Sequence, residues 1–278
     1  MDLNFFSNQY ILFALVMALT AIPVGFSAGL FGIGGGLISV PVLFYIFGAL
    51  GLSNDYLMHL AVGTSFAIIV PTSISSVLAH HKFKAVDFNI VKTYGLYAIL
   101  GAILGTIFTS TLKTEQLILF FVIVTFFLGI YLIFLKEKKI ESNFSFKTHY
   151  KIFFGFISGF VSAPMGIGGA IMNVPVLKFF GFSINRAIGS AAAVGFLIAT
   201  TASIGFLITG NYKEINAPLS IGYINMPAFL IFVPITIFMA RLGARAVHNI
   251  DKKLITKLFG LFNLLVSTRL FFEYLNIN

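Results

Sequence analysis

The stretch GFSAGLFGIGGGLISVPVL, residues 25–43, decides how the chain is read, because it occurs twice. Shifted by 134 positions, residues 159–177 read GFVSAPMGIGGAIMNVPVL and agree at 10 of 19 places, both copies closing on the same four residues, VPVL. In each copy the glycines fall where two apolar runs meet, so bare backbone lies between two hydrophobic helices. One such run would read as close packing of helices through small residues. Two copies, each opening a short segment with an internal proline (Pro41 or Pro175), point instead to a transporter binding site.

Composition defines the surroundings. The 278 residues are 58% hydrophobic and 10% charged, and the mean hydropathy is +0.99, well outside the range of soluble domains. Apolar runs of about 20 residues, the length a helix needs to cross a bilayer, recur from end to end. The chain therefore reads as an all-α polytopic membrane protein with the lipid bilayer as its solvent. Its net charge of +9 gathers in the loops between spans, which fits the positive-inside rule and argues against nucleic acid. The absence of cysteine excludes disulfides and thiol chemistry. Asp2 stands where a cleavable signal would carry a base, so the first apolar run is expected to remain as a membrane segment.

Broken at Gly, Pro and charge, the apolar pattern gives ten segments: 9–31, 35–50, 56–80, 89–111, 115–135, 149–165, 169–181, 184–209, 220–247 and 252–275. The second and seventh are short, spanning or re-entrant. The repeat continues beyond the glycines: His59 aligns with Asn185, Gly63 with Gly189, Thr64 with Ser190, and Gly105 with Gly243. Residues 1–135 and 149–278 thus form two copies of five segments each, joined by a linker at 136–148. An odd number of segments makes the second copy enter the bilayer in the opposite sense, an inverted repeat. On this topology 15 basic residues share one face, and Lys113, Lys213 and Arg269 share the other. The first face is then cytoplasmic, with both termini on the opposite side.

The candidate site follows from the paired glycines. Helix N-termini carry unpaired N–H groups and partial positive charge, so two of them turned inward make an anion cradle. Gly32, Gly34, Gly35 and Gly36 in one copy, with Gly166, Gly168 and Gly169 in the other, would let backbone approach the ligand. Ser39 and Asn173 occupy equivalent positions one turn further on, and Gly63, Thr64, Ser65, Gly189 and Ser190 complete the proposed lining. Neutral donors of this kind bind an oxyanion without burying a cation, although the same side chains also serve as hydrogen bonds between helices. All nine acidic residues fall in loops, termini or segment ends, which favours an anion over a metal cation as cargo. His59, Asn185 and Arg186 are candidates for gating or proton coupling, or else ordinary segment-end residues. No metal site or cofactor is expected, and no P-loop, dinucleotide fingerprint or catalytic constellation is visible, so the chain does not read as an enzyme.

At these residues the chain resembles the TauE/SafE family of sulfite and organosulfonate exporters. The resemblance rests on the duplicated element Gly32–Leu43 and Gly166–Leu177, on AVGTS at 61–65, and on His80, Lys82, Val86 and Asp87. It implies an inner-membrane permease that moves a small sulfur-containing anion such as sulfite or sulfoacetate. The reading left beside it is a channel or carrier for another small ion, or a membrane scaffold without transport. A homodimer is possible, since the small-residue face Gly101–Gly105 would suit packing within or between subunits.

Overall fold

The computed structural model describes residues 8–32, 34–52, 54–134, 146–210, 217–246 and 252–277. Ten α-helices fill this range: α1 Asn8–Phe31, α2 Gly36–Ala49, α3 Leu57–Lys82, α4 Phe88–Thr111, α5 Thr114–Phe134, α6 Thr148–Met165, α7 Ala170–Phe179, α8 Ile184–Gly210, α9 Met226–Ala246 and α10 Lys252–Ile277. Seven of them are long and apolar enough to cross a membrane. With no water inside a bilayer, every backbone polar group must be satisfied within its own segment, which is why these runs fold as helices. The protein is an all-α, multi-pass membrane protein.

The exceptions locate the irregular backbone. α2 has 14 residues and α7 has 10, so at about 1.5 Å per residue neither reaches across a hydrocarbon core of roughly 30 Å. α6, of 18 residues, starts on the polar run Thr148-His149-Tyr150-Lys151 and falls outside the seven. One expected boundary is corrected. The ninth segment does not start at 220: Ser220–Ile221 pairs antiparallel with Ile224–Asn225, and α9 begins only at Met226. Gly222, with φ of +54°, turns this hairpin, and the Asn225 side chain caps α9 by accepting from Ala228 N–H at 3.1 Å. The linker at 136–148 lies mostly outside the described residues, which resume at Phe146.

α3 and α8 form the centre and pack on each other. α3 is the most enclosed of the long helices, while α1, α5, α9 and α10 turn apolar faces outward. The flanks are α1 against α9 and α4 against α6, with α5 against α10. Exchanging each helix with the one five places on maps the main pairings onto one another: α1–α9 becomes α6–α4, α3–α9 becomes α8–α4, and α2–α3 becomes α7–α8. The crossings agree at the residue level. A Cβ at Gly243 would collide with the Phe26 carbonyl of α1, and one at Gly105 would stand 2.5 Å from the Phe160 carbonyl of α6. Gly101 also lies against α6, at Phe156, so the Gly101–Gly105 face is occupied within the chain.

Candidate functional site

α1 and α6 each end in a glycine turn that opens the next short helix. Gly35 and Gly169 are the N-caps of α2 and α7, with φ of +82° and +69°. This left-handed geometry is open to glycine at little cost and requires it here. Neither turn has a side-chain cap, and each carbonyl accepts two N–H groups of its own helix: Ile38 and Ser39 on Gly35, Met172 and Asn173 on Gly169. The two turns meet. A Cβ at Gly36 would collide with the Gly166 carbonyl, Gly34 lies on Ile69 of α3, Gly32 on Ile188 and Ala192 of α8, and Gly168 on Gly195 of α8. The glycines of the two turns are therefore gathered between α3 and α8; Ile33, between Gly32 and Gly34, lies outside the described residues.

The side chains on the two turns are partnered differently. Ser39 and Ser65 are both fully buried, their hydroxyls 2.8 Å apart, and Ser65 donates to the Gly166 carbonyl at 2.9 Å. Each hydroxyl has one hydrogen. Ser65 spends its own on Gly166, so Ser39 donates to Ser65 and neither has a hydrogen left. These two residues tie the first glycine turn and α3 to the second glycine turn, so that each turn with its two flanking helices forms one of two helical hairpins in contact. Asn173 is equally buried, but turns toward α6 and α4: its Oδ1 accepts from Ser158 at 2.6 Å and from Tyr94 at 2.7 Å. Among the described residues its Nδ2 has no hydrogen-bond partner.

Turning that amide over would let Nδ2 donate to both hydroxyl oxygens, but it would orphan Oδ1 and take from Ser158 the acceptor it now uses, so the present orientation leaves fewer groups unpaired. Ser162 completes the cluster. A Cβ at Gly169 would fall 2.9 Å from both the Ser158 and the Ser162 oxygens. Along the same turn no hydrogen bond is found for the N–H groups of Gly168, Gly169, Ala170 or Ile171 among the described residues. Gly168, Gly169 and Ala170 are buried, and a buried donor without a partner is uncommon and costs ~1–3 kcal/mol.

The remaining candidates are distributed over the two ends of the bundle. Thr64 and Ser190 do not face the glycine turns. Thr64 Oγ1 accepts from Asn225 N–H and Ser190 Oγ accepts from Asp87 N–H, both at 2.9 Å. Asn225 and Asp87 are the N-caps of α9 and α4, so these hydroxyls hold the loops that start those helices. Gly63 and Gly189 admit the same loops, lying against the carbonyls of Tyr223 and Ala85. His59, in the first turn of α3, is buried, stacks on Tyr223 at 5.1 Å and places Nε2 3.2 Å from the Thr109 carbonyl oxygen. Burial, with Tyr56 alongside, holds the Tyr223 phenol well above its ordinary range.

Asn185 and Arg186 open α8 at the opposite end. Asn185 is half-buried, and exposed Arg186 pairs with Asp87 at 2.6 Å. Nearby, Phe146 stacks on Phe180 at 4.3 Å and lies 5.7 Å from Tyr94, covering the Asn173 cluster from that end. At the His59 end a cleft of about 900 Å³ opens between Tyr45, Tyr56, Lys113, Glu115 and Arg269. The four acidic side chains in the described residues, Asp55, Asp87, Glu115 and Glu273, all sit at or near helix ends.

A many-helix membrane protein whose broken helices and buried polar groups meet at its centre has the build of a transporter, and its relatives are of that class. A probable membrane transporter protein of Haemophilus influenzae is 32% identical over 94% of this chain and 99% of its own length. One of Methanocaldococcus jannaschii is 30% identical over 88% of this chain and 90% of its own. One of Bacillus subtilis is 24% identical over 93% of this chain and 97% of its own. The chain belongs to the TauE/SafE family: the family model described as Sulfite exporter TauE/SafE matches residues 17–270. No solved structure matches it.

Proposed function

We propose that this membrane transporter carries a small sulfur-containing anion, such as sulfite, sulfoacetate or another organosulfonate, by alternating access about the two glycine turns. The observation that carries the reading is the meeting of those turns at the centre of the bundle, with unpaired donors buried there and acids kept to the helix ends. Neutral N–H donors in a water-poor setting suit an anion. The family's description as a sulfite exporter supports the sulfur-containing class and outward direction. Inverted repeats at 1–135 and 149–278 are supported by the exchange of helix partners and by five helices in each half. On the expected topology, in the cell inner membrane, the termini and the cleft at Arg269 lie on the non-cytoplasmic side.

In this packing Gly36 touches Gly166, so an anion enters only when the hairpins part. The cytoplasmic end is closed by Phe146 on Phe180, and the cleft at the other end is the vestibule for release. A membrane potential of 100 mV, negative inside, favours exit of one negative charge by roughly 2.3 kcal/mol.

The test is flux in proteoliposomes, with sulfite, sulfoacetate, chloride and sodium offered singly. The expected result is movement of sulfite or sulfoacetate well above protein-free vesicles, with little chloride or sodium. Sodium flux without sulfite or sulfoacetate flux would overturn the reading.

A further inference from the structure

We propose that the anion is held on one side only, by the second turn, through Asn173 Nδ2 and the N–H groups of Gly168 to Ile171, with Ser158, Ser162 and Tyr94 as the wall that holds the amide. The inference rests on the reading of the chain as an anion transporter and narrows the site that reading names. Three observations carry it. The Asn173 amide is fully buried and its nitrogen has no partner among the described residues, although its oxygen accepts from two hydroxyls. Four successive N–H groups of the same turn also lack partners among the described residues, as do those of Gly34, Gly35, Gly36 and Leu37 on the first turn, so the amide and its wall are what set the second turn apart. The corresponding places in the first half carry no such wall: Val24 stands for Ser158, Ala28 for Ser162 and Phe232 for Tyr94, and Gly35 lies against Val24 where Gly169 lies against Ser158.

The first turn has a different task. The hydrogens of Ser39 and Ser65 are committed to the chain that ends on the Gly166 carbonyl. That chain fastens the two turns when they are closed and leaves the first turn no side-chain donor for an anion. The second turn fixes Asn173 by its oxygen and leaves its two N–H bonds for the ligand. Such a donor set suits a headgroup with several acceptor oxygens, since an amide and adjacent backbone N–H groups can each reach a different one.

Asn173→Asp separates the roles, because it keeps an oxygen for Tyr94 and Ser158 and replaces only the donating nitrogen. Asn173→Ser, the first-half residue, is the second variant should the carboxylate disturb folding. Sulfite and sulfoacetate affinities are read from ligand-dependent thermal stabilisation in detergent and from flux in proteoliposomes. Both Asn173 variants are expected to weaken affinity by roughly ten- to a hundredfold, the scale of hydrogen bonds to a charged group. Ser39→Ala and Ser65→Ala are expected to alter affinity by no more than about threefold. Wild-type affinity in both Asn173 variants, or equal weakening in the serine variants, overturns the one-sided site while leaving transport standing. A wild-type protein that neither binds nor moves either anion overturns the transport reading, and this inference with it.

Discussion

The two glycine turns share a backbone and differ in chemistry. Gly35 and Gly169 cap short helices in the same left-handed geometry, and each is reached by a helix that ends at an equivalent residue, Phe31 or Met165. Yet Ser39 is bound into a hydroxyl pair that closes on Gly166, while Asn173 keeps a free amide nitrogen beside Ser158 and Tyr94. A duplicated scaffold therefore need not have a duplicated site. The geometry that permits two hairpins to meet is common to both halves, and the polar groups that give the meeting point its chemistry are concentrated in one.

The largest effect is expected from Gly36→Leu, whose side chain has no room against Gly166: flux should vanish while the protein still reaches the membrane fraction. Normal flux would show that the turns are not in contact during the cycle. Next come Thr64→Val and Ser190→Ala. Each removes the acceptor of a capping-loop N–H and should lower stability by ~1–3 kcal/mol in a detergent melt, with sulfite affinity kept. Loss of affinity without loss of stability would return these residues to the binding site.

A smaller contrast separates the caps. Asp87→Ala removes the acceptor for Asn89 and Ile90 N–H and should cost about 0.5–2 kcal/mol. Arg186→Gln removes a partly exposed ion pair and a contact with the Phe182 ring and should cost about 1 kcal/mol. The smallest effect concerns Lys84, with φ of +52° where the second half has Gly222 at +54°. Lys84→Gly should be more stable by about 0.5–1 kcal/mol, and any destabilisation in the same melt would mean that the Lys84 side chain contributes more than its backbone strain costs.

The helices were legible because apolar length and Gly/Pro breaks are one-dimensional signals, and the ends found for α1 to α8 fall within about two residues of those read from sequence. The hairpin at 220–225 was hidden in an apolar run, although Gly222 and the capping Asn225 were its markers. Gly35 and Gly169 were legible since a repeated glycine demands a backbone reason. Thr64 and Ser190 were misleading, because a hydroxyl beside a paired glycine looks the same whether its partner is a ligand or the start of another helix. Ser158, Ser162 and Tyr94 were missed, yet Ala28 against Ser162 lies inside the aligned stretch. A polar residue in one copy where the other is apolar was the available signal, and only the tertiary packing tells which of those departures converge.

Alternating access requires that the centre of the bundle be reached from both sides of the membrane. The chain has no cysteine, so Ser39→Cys supplies a single probe, and its labelling by an impermeant thiol reagent can be measured in vesicles of either orientation. The account predicts labelling from both faces, slowed from each by sulfite or sulfoacetate. A thiol that stays unlabelled from both faces while the protein carries sulfite, or one labelled from a single face at a rate neither anion changes, would contradict it.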